Sequence, residues 1–497
     1  MGRRLADCST YGKFMAVIGL LVAAPLIVIP FDPASAAYAG AFALPAAGSV
    51  ALGVLMCLSR RKDDDGSTAW YAMMQRSSMT VLFAWTWGII AGSVPFMLGT
   101  PLSPVQSLFE SVSGWTTTGL SVINVAETPR IFLFHRSFMQ FCGGLGFVLM
   151  MVMLVSGKQS MNLYNAEGHP DKLMPNLRKT AQTIFLMYSG FLAVGTAGLF
   201  LAGMGLFDAV LHAMCALSTG GFSTRLNSIG EFRSAAVEAV TIALMLVGTT
   251  NFAVLLLLVK GKWRQAAHIS EVRFMFLLLA VTIPLTALTL AGASGPGGGA
   301  WLRGAVFDVV SALSTTGYST TPSYAAWPPA AVGILIFLML VGGGFGSTAG
   351  GIKLARVYVM LRLTLMNVRK RFYPSRKVQS LHYVKPQGKS PIDASVASDT
   401  TGFVMFYLGL FVLGSLAVTL TTGSGLTEGM FEFASALGTV GLSIGLTGPA
   451  TNAATLVVEM AGMILGRLEI FIVLIGIYSG FKAARRRLSE RLRTSAE

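Results

Sequence analysis

The stretch SALSTTGYS, Ser311 to Ser319, sets a glycine among hydroxyl residues and a tyrosine, with hydrophobic runs on either side. Three other stretches match it when one glycine is put in register: SGWTTTGLS from Ser113 to Ser121, CALSTGGFS from Cys215 to Ser223 and SALGTVGLS from Ser435 to Ser443. All four contain T-x-G-[LFY]-S, with Thr117, Thr219, Thr315 and Thr439, then Gly119, Gly221, Gly317 and Gly441, then Ser121, Ser223, Ser319 and Ser443. Successive glycines are 102, 96 and 124 residues apart. Ten residues before each stands a bulky apolar residue (Phe109, Leu211, Phe307, Phe431), followed by a polar one (Glu110, His212, Asp308, Glu432). One T-x-G-x-S in a Gly-rich apolar chain is unremarkable, because small residues are common where membrane helices touch. Packing alone gives no reason for a Thr two residues before every glycine, so the set reads as a repeated functional unit.

The surroundings of these segments are those of a membrane protein. Of 497 residues 53% are apolar and only 12% charged, far from a soluble average. Apolar windows long enough to cross a hydrocarbon core of roughly 30 Å recur along the chain. Ten are expected, at 14–30, 38–58, 71–99, 131–156, 178–205, 234–260, 271–293, 330–361, 400–422 and 452–481. If the loops alternate across the membrane, 31 of the 37 Lys and Arg fall on one side, and Arg130, Arg136, Arg225, Arg233 and Arg303 on the other. The net charge of +15 is therefore an orientation signal that places both termini in the cytoplasm and calls for no nucleic acid. The basic tail from Lys482 to Arg493 suits anionic lipid. Arg3 and Arg4, an apolar stretch and ASAAYA leave a cleaved leader as a second reading of the N-terminus. The stretch is long for a leader, and a second span follows closely, which favours a retained first span.

Each glycine segment lies between an upward and a downward span, so the fold class is an all-α polytopic membrane protein. An N-terminal two-helix hairpin (1–62) precedes four units of span, short helix, T-x-G segment and span. These are repeat 1 (63–160, segment 113–121), repeat 2 (161–265, segment 215–223), repeat 3 (266–390, segment 311–319) and repeat 4 (391–497, segment 435–443). Non-helical backbone at membrane depth is tolerated only where it is buried in protein or lines a watery cavity. Four equivalent segments around one axis can present a ring of carbonyls that replaces a cation's hydration shell. Glycine reaches φ > 0 and lets neighbouring carbonyls turn the same way. The candidate ion-binding residues are Thr117, Thr118, Gly119, Thr219, Gly220, Gly221, Thr315, Thr316, Gly317, Thr439, Val440 and Gly441. The threonine hydroxyls either satisfy irregular backbone or add an oxygen ligand. The partly negative C-terminus of the helix before each segment favours a cation, and no ring of Lys or Arg supports an anion pathway.

This pattern resembles the superfamily of K⁺ transporters that includes the bacterial Trk and Ktr membrane subunits, which are similar to four channel-like M1-pore-M2 units fused in one chain. The resemblance covers nearly all of residues 70 to 481 and extends to GGLGF at Gly143 to Phe147, GGGFGSTAGGIK at Gly342 to Lys353 and GRLEIF at Gly466 to Phe471. The extra hairpin resembles the ten-span Trk type. In that superfamily a glycine in every such segment goes with K⁺ selectivity, so the resemblance implies K⁺ as the transported ion, with no cofactor in this chain. Gly220 and Val440 stand where Thr118 and Thr316 stand in other copies, which leaves fewer uniform ion sites. The resemblance also implies a homodimer in the bacterial inner membrane, associated with a cytosolic nucleotide-binding regulatory subunit. No Walker A or Rossmann fingerprint lies in the chain itself.

The run from Val341 to Leu354 is expected to interrupt the second helix of repeat 3, since each glycine costs about 1 kcal/mol relative to Ala in a helix. Gly342, Gly343, Gly344, Gly346, Ser347, Thr348, Gly350, Gly351 and Lys353 read either as a kinked packing face or as a loop that blocks the pore. The resemblance implies the second, an intramembrane gate. Arg467 is the basic residue deep in a hydrophobic span, which it shares with Glu459 and Glu469. Such a charge faces a cavity or a partner rather than lipid. It reads as a pore-facing part of the gate or as one half of an intramembrane ion pair.

A Na⁺-coupled solute carrier with broken helices is the alternative function, but it calls for inverted repeats and a midplane site, whereas these four units share one orientation. Enzyme chemistry finds no HExxH or GxSxG, and no paired carboxylates within a span apart from Glu459 and Glu469. The four cysteines (8, 57, 142, 215) and five histidines (135, 169, 212, 268, 382) are scattered and suggest neither a disulfide framework nor a metal centre.

Overall fold

A computed structural model describes residues 9–58, 70–145, 177–294, 300–372, 381–468 and 470–494. The chain opens with α1 (Thr10–Ala23), continued by a 3-10 turn, and α2 (Ala39–Leu58). Then follow α3 (Trp70–Gly99), α4 (Pro104–Trp115), α5 (Arg130–Leu145), α6 (Leu177–Leu201), α7 (Leu206–Leu217), α8 (Ala235–Thr249), α9 (Phe252–Val259) and α10 (Trp263–Ala267). Next come α11 (Ser270–Ser294), α12 (Ala300–Leu313), α13 (Pro329–Val341) and α14 (Leu354–Lys370). After strands β1 (His382–Lys385) and β2 (Gly388–Pro391), the chain ends with α15 (Ala394–Thr422), α16 (Leu426–Gly438), α17 (Ala453–Arg467) and α18 (Ile470–Thr494).

Among the described residues six helical stretches are long and apolar enough to cross a membrane: Thr10–Val28, Pro33–Leu58, Ser77–Gly99, Lys179–Leu201, Ser270–Gly292 and Ala394–Thr422. Two more qualify only as bent pairs, α8 with α9 at 116° and α17 with α18 at 106°. Of the ten spans expected from hydropathy, the described residues thus account for six straight and two bent ones. The window at 131–156 begins as α5 and runs into residues outside those described, and the window at 330–361 is broken between Val341 and Leu354. Hydropathy averages over a break, because the residues that make it are few.

The breaks have local causes. Thr250 is extended after α8, and Asn251 starts α9 by accepting the Ala253 amide at 2.7 Å on its side-chain oxygen. Leu468 is extended after Arg467, which ends α17. In repeat 3, Gly342 with φ +68° stops α13.

The N-terminal hairpin packs backbone to backbone. A Cβ at Gly12, Gly19 or Gly53 would strike the facing helix, so these glycines set how closely α1 and α2 approach. Ser49 Oγ donates to the Met15 carbonyl at 2.6 Å and accepts from Trp87 Nε1 at 2.8 Å, which ties the hairpin to α3. The apolar residue ten positions before each glycine, Phe109, Leu211, Phe307 or Phe431, is at most 1% exposed. These side chains anchor the four short helices in the core.

Among the described residues one element falls outside an all-α description. In the basic loop around Asn367 to Lys389, β1 and β2 pair antiparallel, with Tyr383 opposite Ser390. Gly388, at φ +129°, allows the tight connection. The Val384 amide donates to Ser270 Oγ at 2.9 Å, which docks this hairpin on the start of α11.

Candidate functional site

Each T-x-G segment begins where a short helix stops. Helices α4, α7, α12 and α16 have 12, 12, 14 and 13 residues, about 20 Å each at 1.5 Å per residue and too short for a span. α4 starts on a capping box between Ser103 and Gln106 with Pro104 in its first turn. All four end alike. The amides of Thr117, Thr219, Thr315 and Thr439 donate three residues back at 3.2 Å, and those of Thr118, Gly220, Thr316 and Val440 five residues back at 2.8–3.0 Å. This is the Schellman arrangement, whose left-handed position is usually glycine. Here it is threonine each time, with φ of 55°, 52°, 54° and 50°. A left-handed L-residue costs roughly 1–2 kcal/mol, so four repetitions in a β-branched residue point to a job for the side chain.

The glycines two residues on also have positive φ, at 96°, 72°, 82° and 100°. Serine holds two of their amides out of the way: Ser113 Oγ accepts from Gly119 N at 3.0 Å, and Ser435 Oγ from Gly441 N at 2.9 Å. A Cβ at Gly119 would run into the Gly220 carbonyl oxygen, at Gly221 into that of Thr316, at Gly317 into that of Val440 and at Gly441 into that of Thr118. These contacts close in chain order, so the segments form a ring in which each glycine abuts the carbonyl of the next copy. In every copy the threonine and the middle residue are buried, and the glycine is the first position with partial access. All twelve residues expected to bind ions lie on this ring.

The polar residue that recurs on the four helices supports the C-terminal end of each segment. Glu110 accepts from Ser121 Oγ and Val122 N, both at 2.6 Å, and Glu432 accepts from Ser443 Oγ at 2.7 Å and Ile444 N at 3.0 Å. His212 Nε2 lies 2.9 Å from Ser223 Oγ, and Asp308 accepts from Thr321 Oγ1 at 2.6 Å and Thr320 N at 3.1 Å. Arg136, only 2% exposed, donates to Glu110 at 3.0 Å and to Ser121 Oγ at 2.7 Å, and its guanidinium carbon sits 4.0 Å from the centroid of the Phe222 ring. Counting charges assigned Arg136 to the outer side; its place inside an apolar helix was the available sign of a buried partner. Breaking a buried pair from one side costs about 3–5 kcal/mol. We therefore expect Arg136→Met to lower the thermal unfolding temperature in detergent clearly, and Arg136→Met with Glu110→Gln to recover part of the loss. An unchanged melting profile for the single variant would contradict this.

The run Gly342–Gly351 lies directly against the threonine end of the ring. The Gly350 amide donates to Thr315 Oγ1 at 3.0 Å, Thr219 Oγ1 lies 3.2 Å from Thr348 Oγ1, and a Cβ at Gly350 would strike Thr439 Oγ1. Thr348 Oγ1 lies 2.8 Å from the Gly248 carbonyl and 3.0 Å from that of Leu217. The Gly344 amide donates to Thr249 O at 3.0 Å, and Phe345 N to Glu271 Oε1 at 3.1 Å. The break after α8 thus receives the loop from repeat 3. Gly342, Gly346 and Gly351 have φ near +65° to +68°, and Gly343 has no room for a Cβ beside Thr249. Ser347 Oγ donates to Gly344 O at 2.7 Å, and Lys353 Nζ donates to Ala349 O, so both close the loop on itself.

Arg467 reaches this loop. Its guanidinium donates to the Thr348 carbonyl and, through Nη2, to the Gly143 carbonyl at 2.6 Å, bridging the end of α17, the loop and α5. Glu459 is elsewhere, accepting from Thr447 Oγ1 at 2.9 Å about midway along α17. Glu469, with Gly146 and Phe147 of the GGLGF run, lies outside the described residues. Among the described residues Thr117 Oγ1 and Thr439 Oγ1 are buried without a hydrogen-bond partner, and Thr439 Oγ1 faces Gly350 of the loop. Reading the sequence missed Gln140, a fully buried residue of α5 that contacts the second segment, because an isolated glutamine carries no motif.

This geometry has known counterparts. A family profile described as TrkH: Cation transport protein matches residues 57–479. A Trk system potassium uptake protein TrkH of Halomonas elongata is 33% identical over 413 residues, covering 78% of this chain and 82% of its own. A Trk system potassium uptake protein TrkG of Escherichia coli is 30% identical over 447 residues, covering 84% and 88%. The crystal structure of the potassium transporter TrkH from Vibrio parahaemolyticus superposes with a TM-score of 0.81 at 26% identity, covering 96% of this chain and 98% of that one. The chain belongs to the TrkH family of cation transport proteins, the pore subunits of Trk/Ktr-type transporters, and is not an enzyme.

Proposed function

We propose that this chain takes up K⁺ through a channel-like pore whose selectivity filter is the ring of four T-x-G segments. The observation that carries the reading is the closed sequence of glycine-to-carbonyl contacts around the ring, each glycine held at positive φ. Such a ring turns carbonyl oxygens to one axis, where they replace water around a weakly hydrated cation. The relatives named for potassium uptake support K⁺ as the ion. In this reading the twelve ring residues bind the ion. The four repeats are 63–160, 161–265, 266–390 and 391–497, each with one full crossing, straight or broken, on either side of its segment. With the N-terminal hairpin they make ten crossings, and both termini are cytoplasmic.

The loop from Gly342 to Gly351 with Lys353 and Arg467 forms the gate. It closes the path at the threonine end, where glycines let it lie flat against the ring. The cytoplasmic segment around β1 and β2 adjoins the start of α11, whose Glu271 holds the Phe345 amide of the loop. A soluble nucleotide-binding subunit pulling there has a short route to the gate, and a homodimer in the inner membrane completes the assembly.

The test is growth of a K⁺-uptake-deficient strain at low K⁺ on expression of this chain with a matching regulatory subunit, followed by Rb⁺ flux into proteoliposomes with and without a Na⁺ or H⁺ gradient. Rescue with Rb⁺ flux that needs no Na⁺ is expected. Failure despite membrane insertion, or uptake of organic solutes driven by Na⁺, would reject it.

A further inference from the structure

We infer that Gln140 is a positioning residue for the second quarter of the ring, substituting for the side chain that Gly220 lacks. The inference rests on the reading of the ring as a cation filter. Its basis is an asymmetry. In the first and third copies the middle threonine is held by the hydroxyl two residues before it, Thr118 Oγ1 by Thr116 Oγ1 and Thr316 Oγ1 by Ser314 Oγ, both at 2.8 Å. The second copy keeps the partner, Ser218, but has Gly220 in place of the threonine. A Cβ at Gly220 would strike the Gln140 amide group, so the glycine is what admits this side chain.

Gln140 then uses both ends of its amide. Nε2 donates to the Gly220 carbonyl at 2.5 Å, and Oε1 accepts from the Phe222 amide at 3.1 Å. The side chain thus clamps the backbone on either side of Gly221, the ring glycine, as a neighbouring strand would. Among the described residues, the equivalent carbonyls of Thr118, Thr316 and Val440 receive no such donor. One carbonyl in four is therefore polarised and fixed by a buried amide from α5, and the ring's discrimination depends on a residue outside every T-x-G motif.

The experiment uses the full chain in proteoliposomes and measures uptake of labelled Rb⁺ against increasing K⁺ or Na⁺. Gln140→Leu keeps the volume and removes both hydrogen bonds, so the preference for K⁺ over Na⁺ is expected to fall about tenfold, the scale of two lost hydrogen bonds. Gly220→Thr alone, which collides with Gln140, is expected to be at least as poor. Gly220→Thr combined with Gln140→Ala gives the second copy the hydroxyl pair of the first and third, with Ser218 as partner, and is expected to recover most of the preference. That recovery is something a merely structural role would not produce. A wild-type preference in Gln140→Leu, or a double variant no better than Gly220→Thr, overturns the inference. If Gln140→Leu does not fold, the comparison of the double variant with Gly220→Thr decides alone. Absence of Rb⁺ or K⁺ flux in the unaltered chain would instead reject the filter reading, which separates the two failures.

Discussion

Gly317→Ala is expected to cut Rb⁺ uptake about a hundredfold while the protein still inserts and remains monodisperse in detergent. Gly317 sits at φ +82°, and its missing Cβ would overlap the Val440 carbonyl oxygen and come within 2.8 Å of the Gly441 Cα. An L-residue at this φ costs roughly 1–2 kcal/mol, and forcing a methyl into a packed site costs about 1–3 kcal/mol more. That cost is concentrated in one quarter of the ring, because the neighbour that must give way is backbone. The third and fourth segments separate, the carbonyls no longer converge, and flux falls about a hundredfold, which corresponds to roughly 2.7 kcal/mol. Gly409→Ala is the control: that glycine lies in α15 with nothing within 4 Å of its missing Cβ, and unchanged uptake is expected. Uptake by Gly317→Ala near the unaltered level would mean that the glycine-to-carbonyl contacts do not shape the ion path.

The sequence made this position readable because four copies supplied an internal comparison. Thr117, Thr219, Thr315 and Thr439 stood out by repetition, and all four take the same strained backbone. The recurring Glu110, His212, Asp308 and Glu432 were visible too, but their task of holding the C-terminal end of each segment depends on contacts 11 to 13 residues away around a turn. The helix breaks were legible only where glycine marks them. The run from Gly342 announces itself, whereas Thr250-Asn251 and Leu468 are too few to take an apolar window below the hydropathy of a span. Gln140 was invisible for a different reason. Its role is complementary to an absence, the missing side chain of Gly220 on another helix, and only three-dimensional proximity joins the two. The β1–β2 hairpin likewise lay in a basic stretch where charge, rather than alternation, dominated.

Arg467→Gln is expected to raise Rb⁺ uptake in the absence of any regulatory subunit. Arg467 donates to the Thr348 carbonyl in the loop and to the Gly143 carbonyl in α5, so in the proposed gate it ties the loop to α5. Hydrogen bonds from a charged donor contribute about 1.5–3 kcal/mol each. Losing that share of the closed state's advantage multiplies a rare open population about ten- to a hundredfold, since each 1.4 kcal/mol is a factor of ten. Removing the positive charge also lowers the barrier to a cation below the ring, in the same direction. Arg467→Lys keeps the charge but loses the two-pronged guanidinium, so uptake between the unaltered chain and Arg467→Gln is expected. Thr348→Ala loosens the same loop by removing the hydroxyl that faces the Leu217 and Gly248 carbonyls. Its effect should therefore combine with Arg467→Gln less than additively, because a loop freed by one change has less to lose from the other. If Arg467→Gln leaves unregulated uptake at or below the unaltered level while its melting temperature falls, Arg467 is a helix-packing residue and the gate lies elsewhere.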